Sequence, residues 1–311
     1  MKLAGKTDVG RVRQDNQDDY RAGELPSDAA WLLVCDGMGG ARGGREASQS
    51  ACDVIERCFQ EQYASKCLPG EEETFLKKSL LSANRFVFQK ALREESLAGM
   101  GTTAVCALVR GGKVFLCHAG DSRAYLYRDG RLAQLTHDHS YVQELVDCGT
   151  ITVEEAEHHP QKNIITKALG VDYRLDSEFT TAPLQKGDIL LLCSDGLCGV
   201  LEDSTIEETM TTLSDQGECA QRLVQMALRA GSTDNVTAVI ADATLALDAD
   251  AFDLPHQTPL VGGAASRNLE PIADIVNEPV ATAPALREDD SPAQRAAALI
   301  PVSYTHLTLP T

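Results

Sequence analysis

Aromatic residues are scarce in this chain: Phe, Tyr and Trp make up 5% of it, with a single tryptophan. Any core must therefore pack through aliphatic side chains, which a hydrophobic content of 43% can supply. Positive charge is also in short supply. Twenty-eight Lys and Arg stand against 46 Asp and Glu, a formal net charge of −18. That balance argues against nucleic acid or an anionic membrane as the main partner, because both select basic faces. Among the ten cysteines no Cys-x-x-Cys pair occurs, so zinc-site spacing is absent. Several cysteines (Cys35, Cys106, Cys117, Cys193) sit inside apolar runs and read as small buried hydrophobes in a reducing compartment. No apolar run is long enough for a membrane helix, and no signal sequence precedes the first strand, so a cytoplasmic location is expected. The glycine-rich stretch Gly37 to Gly44 lacks the Gly-Lys-Ser/Thr ending of a nucleotide phosphate loop.

What the chain does have is apolar runs that stop at an aspartate. Leu32-Leu33-Val34-Cys35 ends on Asp36-Gly37-Met38-Gly39-Gly40, and Ile189 to Cys193 ends on Ser194-Asp195-Gly196. Each reads as a buried strand delivering a carboxylate at its end, with glycine backbone that can pass close to whatever the carboxylate holds. One Asp-Gly alone is an ordinary turn. Here two more carboxylates join: Asp121 in a Gly-Asp-Ser turn between apolar segments, and Asp234 just before the run Val236 to Ile240. Neighbouring antiparallel strands run in opposite directions, so Asp195 at a strand end and Asp234 at a strand start can meet. Such an acidic site suits a hard divalent cation such as Mg²⁺ or Mn²⁺.

Near the N-terminus lies Arg13-Gln14-Asp15-Asn16-Gln17-Asp18. Taken in order, Arg-x-x-Asn-Gln-Asp, Asp-Gly-Met-Gly-Gly, Gly-Thr-Thr (101–103), Gly-Asp-Ser-Arg, Ser-Asp-Gly and Asp-Asn-Val-Thr resemble the motifs of the type 2C, metal-dependent protein serine/threonine phosphatases, most of all their compact bacterial members. The resemblance spans about residues 1 to 242. It implies an α+β fold: a four-layer α-β-β-α sandwich of two antiparallel sheets flanked by helices. It also implies a binuclear Mg²⁺ or Mn²⁺ centre in which Asp36 bridges both ions, the Gly37 carbonyl binds the second, and Asp195 and Asp234 complete the first. Asp121, with Asp195, corresponds to ligands of a third, weaker ion, and Asp18 would orient metal-activated water. Arg13 corresponds to a phosphate clamp; guanidinium makes paired hydrogen bonds to phosphate that ammonium cannot match.

The implied activity is hydrolysis of phosphoserine and phosphothreonine by metal-activated water, without a Ser or Cys nucleophile. Cys35 and Cys193 accordingly read as inert core thiols. The implied partners are phosphoproteins, a Ser/Thr protein kinase and its substrates, with the chain itself a monomer. Two departures stand out. Gln17 replaces a glutamate common in the family, which lowers the negative charge of the site. Met38 stands where some members carry a histidine proposed as leaving-group acid. His137 and His139 qualify for that role by residue type only, and His158-His159 reads as part of a flap beside the active site.

Apolar spacing predicts helices over about 43–63, 72–95, 205–210 and 218–230, with a four-strand meander over 102–135. The catalytic domain is expected over residues 1–245. From 246 to 301 the chain turns rich in Ala, Pro and acidic residues and reads as a flexible linker or tail; eight of the 12 prolines lie beyond residue 250. Residues 302–311 resemble a translated adapter sequence and read as a non-native tail, with the natural chain continuing past residue 301. Two rival readings are a different binuclear phosphoesterase, such as a nuclease, and a pseudophosphatase acting as a binding module. The acidic balance counts against the first, and the retention of Asp36, Asp121, Asp195 and Asp234 against the second.

Overall fold

The computed structural model describes residues 1–243 and 260–262. One sheet holds β1 (Lys2–Asp8), β7 (Arg123–Arg128), β8 (Arg131–Gln134), β10 (Ile189–Cys193) and β11 (Val236–Asp242) in the order β1-β11-β10-β7-β8. The other holds β2 (Asp18–Leu25), β3 (Ala29–Met38), β5 (Ala104–Arg110), β6 (Lys113–Ala119), β9 (Glu178–Pro183) and β12 (Leu260–Gly262) in the order β12-β2-β3-β5-β6-β9. The two-residue β4 (Gly101–Thr102) pairs with the end of β3. Every pairing is antiparallel. Helices α1 (Gly40–Lys66) and α2 (Glu72–Arg93) cover the second sheet, and α5 (Asp195–Cys198), α6 (Asp203–Thr212) and α7 (Gln216–Ala230) cover the first. The short helices α3 (Tyr141–Asp147) and α4 (Val153–Glu157) lie between β8 and β9 in the chain. This is the four-layer α-β-β-α sandwich expected.

Central strands are apolar throughout because both of their faces are buried. On β3, Trp31, Leu33 and Cys35 pack under α1 and α2, while Leu32 and Val34 enter the core between the sheets. On β10, Leu191 and Cys193 face α5–α7, and Leu190 and Leu192 join that same inter-sheet core. Four of the scarce aromatics, Trp31, Phe59, Tyr63 and Phe75, form one cluster under α1. Trp31 stacks on Phe59 at 4.6 Å, and Phe75 meets Phe59 edge-on at 5.2 Å. A buried charge cluster ties β2 to α1. Arg21, 1% exposed, bonds Asp19 at 2.6 Å, Asp53 at 2.8 Å and Glu56 at 3.1 Å.

The structure differs from the expected meander over 102–135. Its four strands are present, but β6 pairs with β5 and β9 while β7 pairs with β8 and β10. The Gly120-Asp121-Ser122 turn is therefore a crossing between the two sheets and not a hairpin. Alternation along a strand says which residues are buried but not which sheet the next strand joins. Of the expected linker over 246–301, Leu260–Gly262 pairs with β2 through Leu260 opposite Ala22 and Gly262 opposite Tyr20. The rest of that segment, and residues 302–311, lie outside the described residues.

Trp31→Ala opens a cavity under α1 where the ring stack stood. It should destabilise the fold by about 3–5 kcal/mol, read as a fall in the urea midpoint at unchanged slope. A midpoint equal to the parent's would mean that the aromatic cluster does not anchor α1.

Candidate metal centre

The carboxylates gather because strand ends gather. Asp18 and Asp36 are direct partners on β2 and β3. Asp195 opens α5 just beyond β10, and Asp234 precedes β11; since Cys193 pairs with Ala238, the end of β10 lies beside the start of β11. Glycine permits the closeness. A Cβ on Gly196 would lie 1.9 Å from the Asn235 carbonyl oxygen, and one on Gly37 would lie 2.0 Å from that of Gly44. Asp121 arrives on the crossing between the sheets. As the sequence led one to expect, Asp195 and Asp234 come near each other: the end of β10 lies beside the start of β11, and a Cβ on Gly196 would lie 3.5 Å from the Asp234 Cβ.

A set of hydroxyls and amides, which sequence reading did not assign, holds this group in place. Ser194 and Thr237 both donate to Asp18 Oδ2, at 2.7 and 2.6 Å. The Asp36 N–H donates to Thr103 Oγ1 at 2.9 Å, and its carbonyl accepts from the Thr103 N–H and Thr102 Oγ1, both at 2.8 Å. Thr103 Oγ1 and Ser122 Oγ share a hydrogen bond of 2.7 Å, which couples the Asp36 strand to the Asp121 turn. Asn235 pins the N-terminal loop, donating to the carbonyls of Val9 and Asp15 and accepting from the Gln17 N–H. The only sequence clue to these groups was membership of a motif: Ser122, Ser194, Asn235 and Thr237 share one with an aspartate, while Thr102 and Thr103 stand in the Gly-Thr-Thr motif, which has none.

Arg13 lies at the rim, its Nη2 donating to Asp234 Oδ2 at 2.7 Å, with the side chains 38% and 33% exposed. Gln17 turns its amide to the glycine loop and donates to the Gly40 carbonyl at 3.2 Å. Met38, partly exposed, ends β3 opposite Gly101. His137 bonds Asp147 at 2.8 Å in a half-exposed pair. His159 Nδ1 accepts from the Gln161 N–H beyond α4. Cys35 and Cys193 are fully buried, as expected of core thiols.

His118, His139 and Glu178 offer two ring nitrogens and a carboxylate oxygen within 4.8 Å of one another. Their hydrogen bonds do not suit a metal. His139 Nδ1 accepts from the Gly120 N–H at 3.2 Å, so the neutral ring carries its proton on Nε2, 3.4 Å from Glu178 Oε2. Burial lowers His139 to about 3, which keeps it neutral. The His118 and His139 rings also stack at 4.7 Å with planes 11° apart, whereas one metal ion would have to lie in the plane of both. The pair braces Gly120, and through it the turn that carries Asp121.

Negative charge on these aspartates is costly. Burial pushes Asp18 from its ordinary 3.8 up to about 7, and the charges of Asp195 and Asp234 add to that against hydrogen bonds from Thr237 and Ser194. Burial, then the other carboxylates, raises Asp36 and Asp121 well above the usual range. Burial, and then the charge of Asp234, raise Asp195. Asp18 Oδ1, Asp121 Oδ1 and Asp195 Oδ1 are buried without a hydrogen-bond partner. Hard oxygens, crowded negative charge and orphaned lone pairs fit Mg²⁺ or Mn²⁺.

A pH linkage follows. A carboxyl raised to about 7 binds more protons folded than unfolded between its unfolded value near 3.8 and about 7. Its stabilising effect is complete below that window and is lost as pH rises through it. Divalent cations displace those protons, so the rise in melting temperature on adding Mn²⁺ to chelator-treated protein should grow from pH 5 to pH 7.5. Asp19, raised to about 7 by burial, and His139, lowered to about 3, shift both melting curves and cancel in the difference. A metal-induced rise of equal size across that pH range would contradict the proton linkage of the cluster.

Comparison with known proteins places this geometry. The family model described as Protein phosphatase 2C matches residues 9–239. The serine/threonine phosphatase stp of Listeria welshimeri is 37% identical over 246 residues, covering 79% of this chain and 97% of that protein. Among solved structures, Stp1 from Staphylococcus aureus aligns at a TM-score of 0.74 with 35% identity, over 78% of this chain and 94% of that one. The catalytic domain of the phosphatase PstP in complex with two manganese ions aligns at 0.68 with 37% identity, over 78% and 97%. With the family model spanning well over half of its length, the chain belongs to the protein phosphatase 2C family.

Proposed function

We propose that the chain is a protein serine/threonine phosphatase that hydrolyses phosphoserine and phosphothreonine at a binuclear Mg²⁺ or Mn²⁺ centre. The observation that carries this reading is the convergence of Asp18, Asp36, Asp121, Asp195 and Asp234 at one end of the inter-sheet core, with Asp18 Oδ1, Asp121 Oδ1 and Asp195 Oδ1 buried and unpartnered. Asp36, the Gly37 carbonyl, Asp195 and Asp234 would hold two ions, and Asp121 with Asp195 a third. Divalent cations supply such a site with water acidified to near neutral pH and with positive charge against the phosphoryl oxygens. Asp18, fixed through Oδ2 by Ser194 and Thr237, leaves Oδ1 unpartnered as an acceptor that would orient water. Arg13, at the rim beside Asp234, grips the phosphate of the incoming residue.

The catalytic unit is residues 1–245, with 246–301 a linker or tail. The biological role that fits is reversal of a Ser/Thr kinase on its substrates, by a monomer in the cytoplasm. No helix among the described residues is long and apolar enough to cross a membrane, and no described cysteine is in a disulfide.

A chelator should abolish hydrolysis of a phosphothreonine peptide, and Mn²⁺ or Mg²⁺ should restore it. Asp36→Asn should bring kcat down to background while leaving a cooperative melt, since one bridging charge serves both ions. Turnover by that variant at the parent rate would rule out the two-ion assignment.

Arg13→Ala removes charge-assisted hydrogen bonds worth about 1.5–3 kcal/mol. If these act equally in ground and transition states, KM rises about ten- to a hundredfold with kcat little changed. An unaltered kcat/KM on the same peptide would end the clamp assignment.

A further inference from the structure

A groove of about 740 Å³ adjoins the carboxylate cluster, with Asp121 and Asp195 among its lining residues. The rest of its lining comes from α3, α4 and the segment after them, and from α5 and the start of α6. Val153 and Val200, 61% and 39% exposed, both line it. They belong to a small set of large apolar side chains that the described surface leaves open. Glu157, Glu202 and Asp203, all exposed, also line it and form no ion pair among the described residues. Of the Lys and Arg side chains that line it, Arg123 is held by Asp138 at 2.7 Å, which leaves Lys162 against these three carboxylates.

Helix electrostatics account for only part of this charge. Glu202 and Asp203 stand at the N-terminus of α6, where the helix itself favours a carboxylate. Glu157 is the last residue of α4, where the helix disfavours one, yet it lines the same groove. Exposed valines beside exposed carboxylates suit a long cationic side chain, which lays its aliphatic stem on hydrophobic surface and keeps its charged head among carboxylates.

We propose that this groove is a substrate subsite that takes a lysine or arginine side chain from the polypeptide flanking the phosphorylated residue. The proposal rests on the protein phosphatase reading above. Continuity with Asp121 and Asp195 puts the subsite on one flank of the scissile phosphate, so the preference belongs to one side of the phosphorylated residue and not to both.

The test is a panel of phosphothreonine peptides hydrolysed by the full chain in Mn²⁺ at low salt, with one Lys, Ala or Glu moved in turn along each flank. A lysine on one flank should raise kcat/KM about three- to tenfold over alanine, the size expected of a few solvent-screened charge pairs. The gain should shrink at high salt. The double variant Glu202→Gln with Asp203→Asn, and separately Glu157→Gln, should bring the Lys/Ala ratio toward one. Because the ratio is taken within one protein preparation, partial misfolding of a variant cannot imitate that result. Equal kcat/KM across the panel, a preference for glutamate, or a lysine preference untouched in both variants would overturn the groove assignment alone. Hydrolysis of a small aryl phosphate with none of any peptide would overturn the protein phosphatase reading, and the groove with it.

Discussion

Five carboxylates converge at one end of the inter-sheet core, and their mutual repulsion is the constraint on which the rest of the site depends. Burial alone disfavours each charge, and each neighbour adds to the penalty, so Asp18, Asp36, Asp121 and Asp195 are all raised. Asp234 at the edge of the cluster is paired with the Arg13 guanidinium at 2.7 Å. That pairing marks where positive charge is wanted. A divalent ion meets the same demand with more charge and with coordination for the unpartnered oxygens.

The two sheets make that crowding possible, and each contributes by a different route. The second sheet delivers Asp18 and Asp36 side by side on neighbouring strands. The first brings Asp195 and Asp234 together from opposite strand ends. Asp121 belongs to neither sheet and sits where the chain passes from β6 to β7. The groove proposed as a subsite is lined by Asp121 and Asp195 together with residues of α4 and α6, so a substrate lying in it would reach the cluster beside those two aspartates.

Much of this was legible in the sequence, in particular ways. The runs ending at Asp36 and Asp195 announced buried strands with carboxylates at their tips, and helix positions followed from apolar spacing to within a few residues, as for α1 over Gly40–Lys66 against an expected 43–63. The crossing at Gly120–Ser122 was not legible, because alternation is blind to which sheet a strand joins. Nor were the hydroxyls of Ser194, Thr237 and Thr103, whose residue types are as common in turns as in networks. Long-range charge pairs such as Arg13 with Asp234, 221 residues apart, leave no local trace at all. His139 could be chosen as a candidate acid by type, but only its bond from the Gly120 N–H shows a ring committed to bracing backbone.

The same network bears on how the site behaves when its charge changes. Asp36 is held through its backbone by Thr102 and Thr103, Asp18 by Ser194 and Thr237, and the Asp121 turn by Ser122 and His139. None of these contacts involves a cation, and most are buried, where a satisfied hydrogen bond is costly to break. Loading the centre should therefore alter protonation and the Arg13 contact far more than strand positions. A scaffold that holds repelling carboxylates close through its own hydrogen bonds keeps them placed for cations. The electrostatic penalty accepted in folding is returned as binding free energy when cations arrive, so the fold's least favourable feature on its own is what gives it affinity for metal.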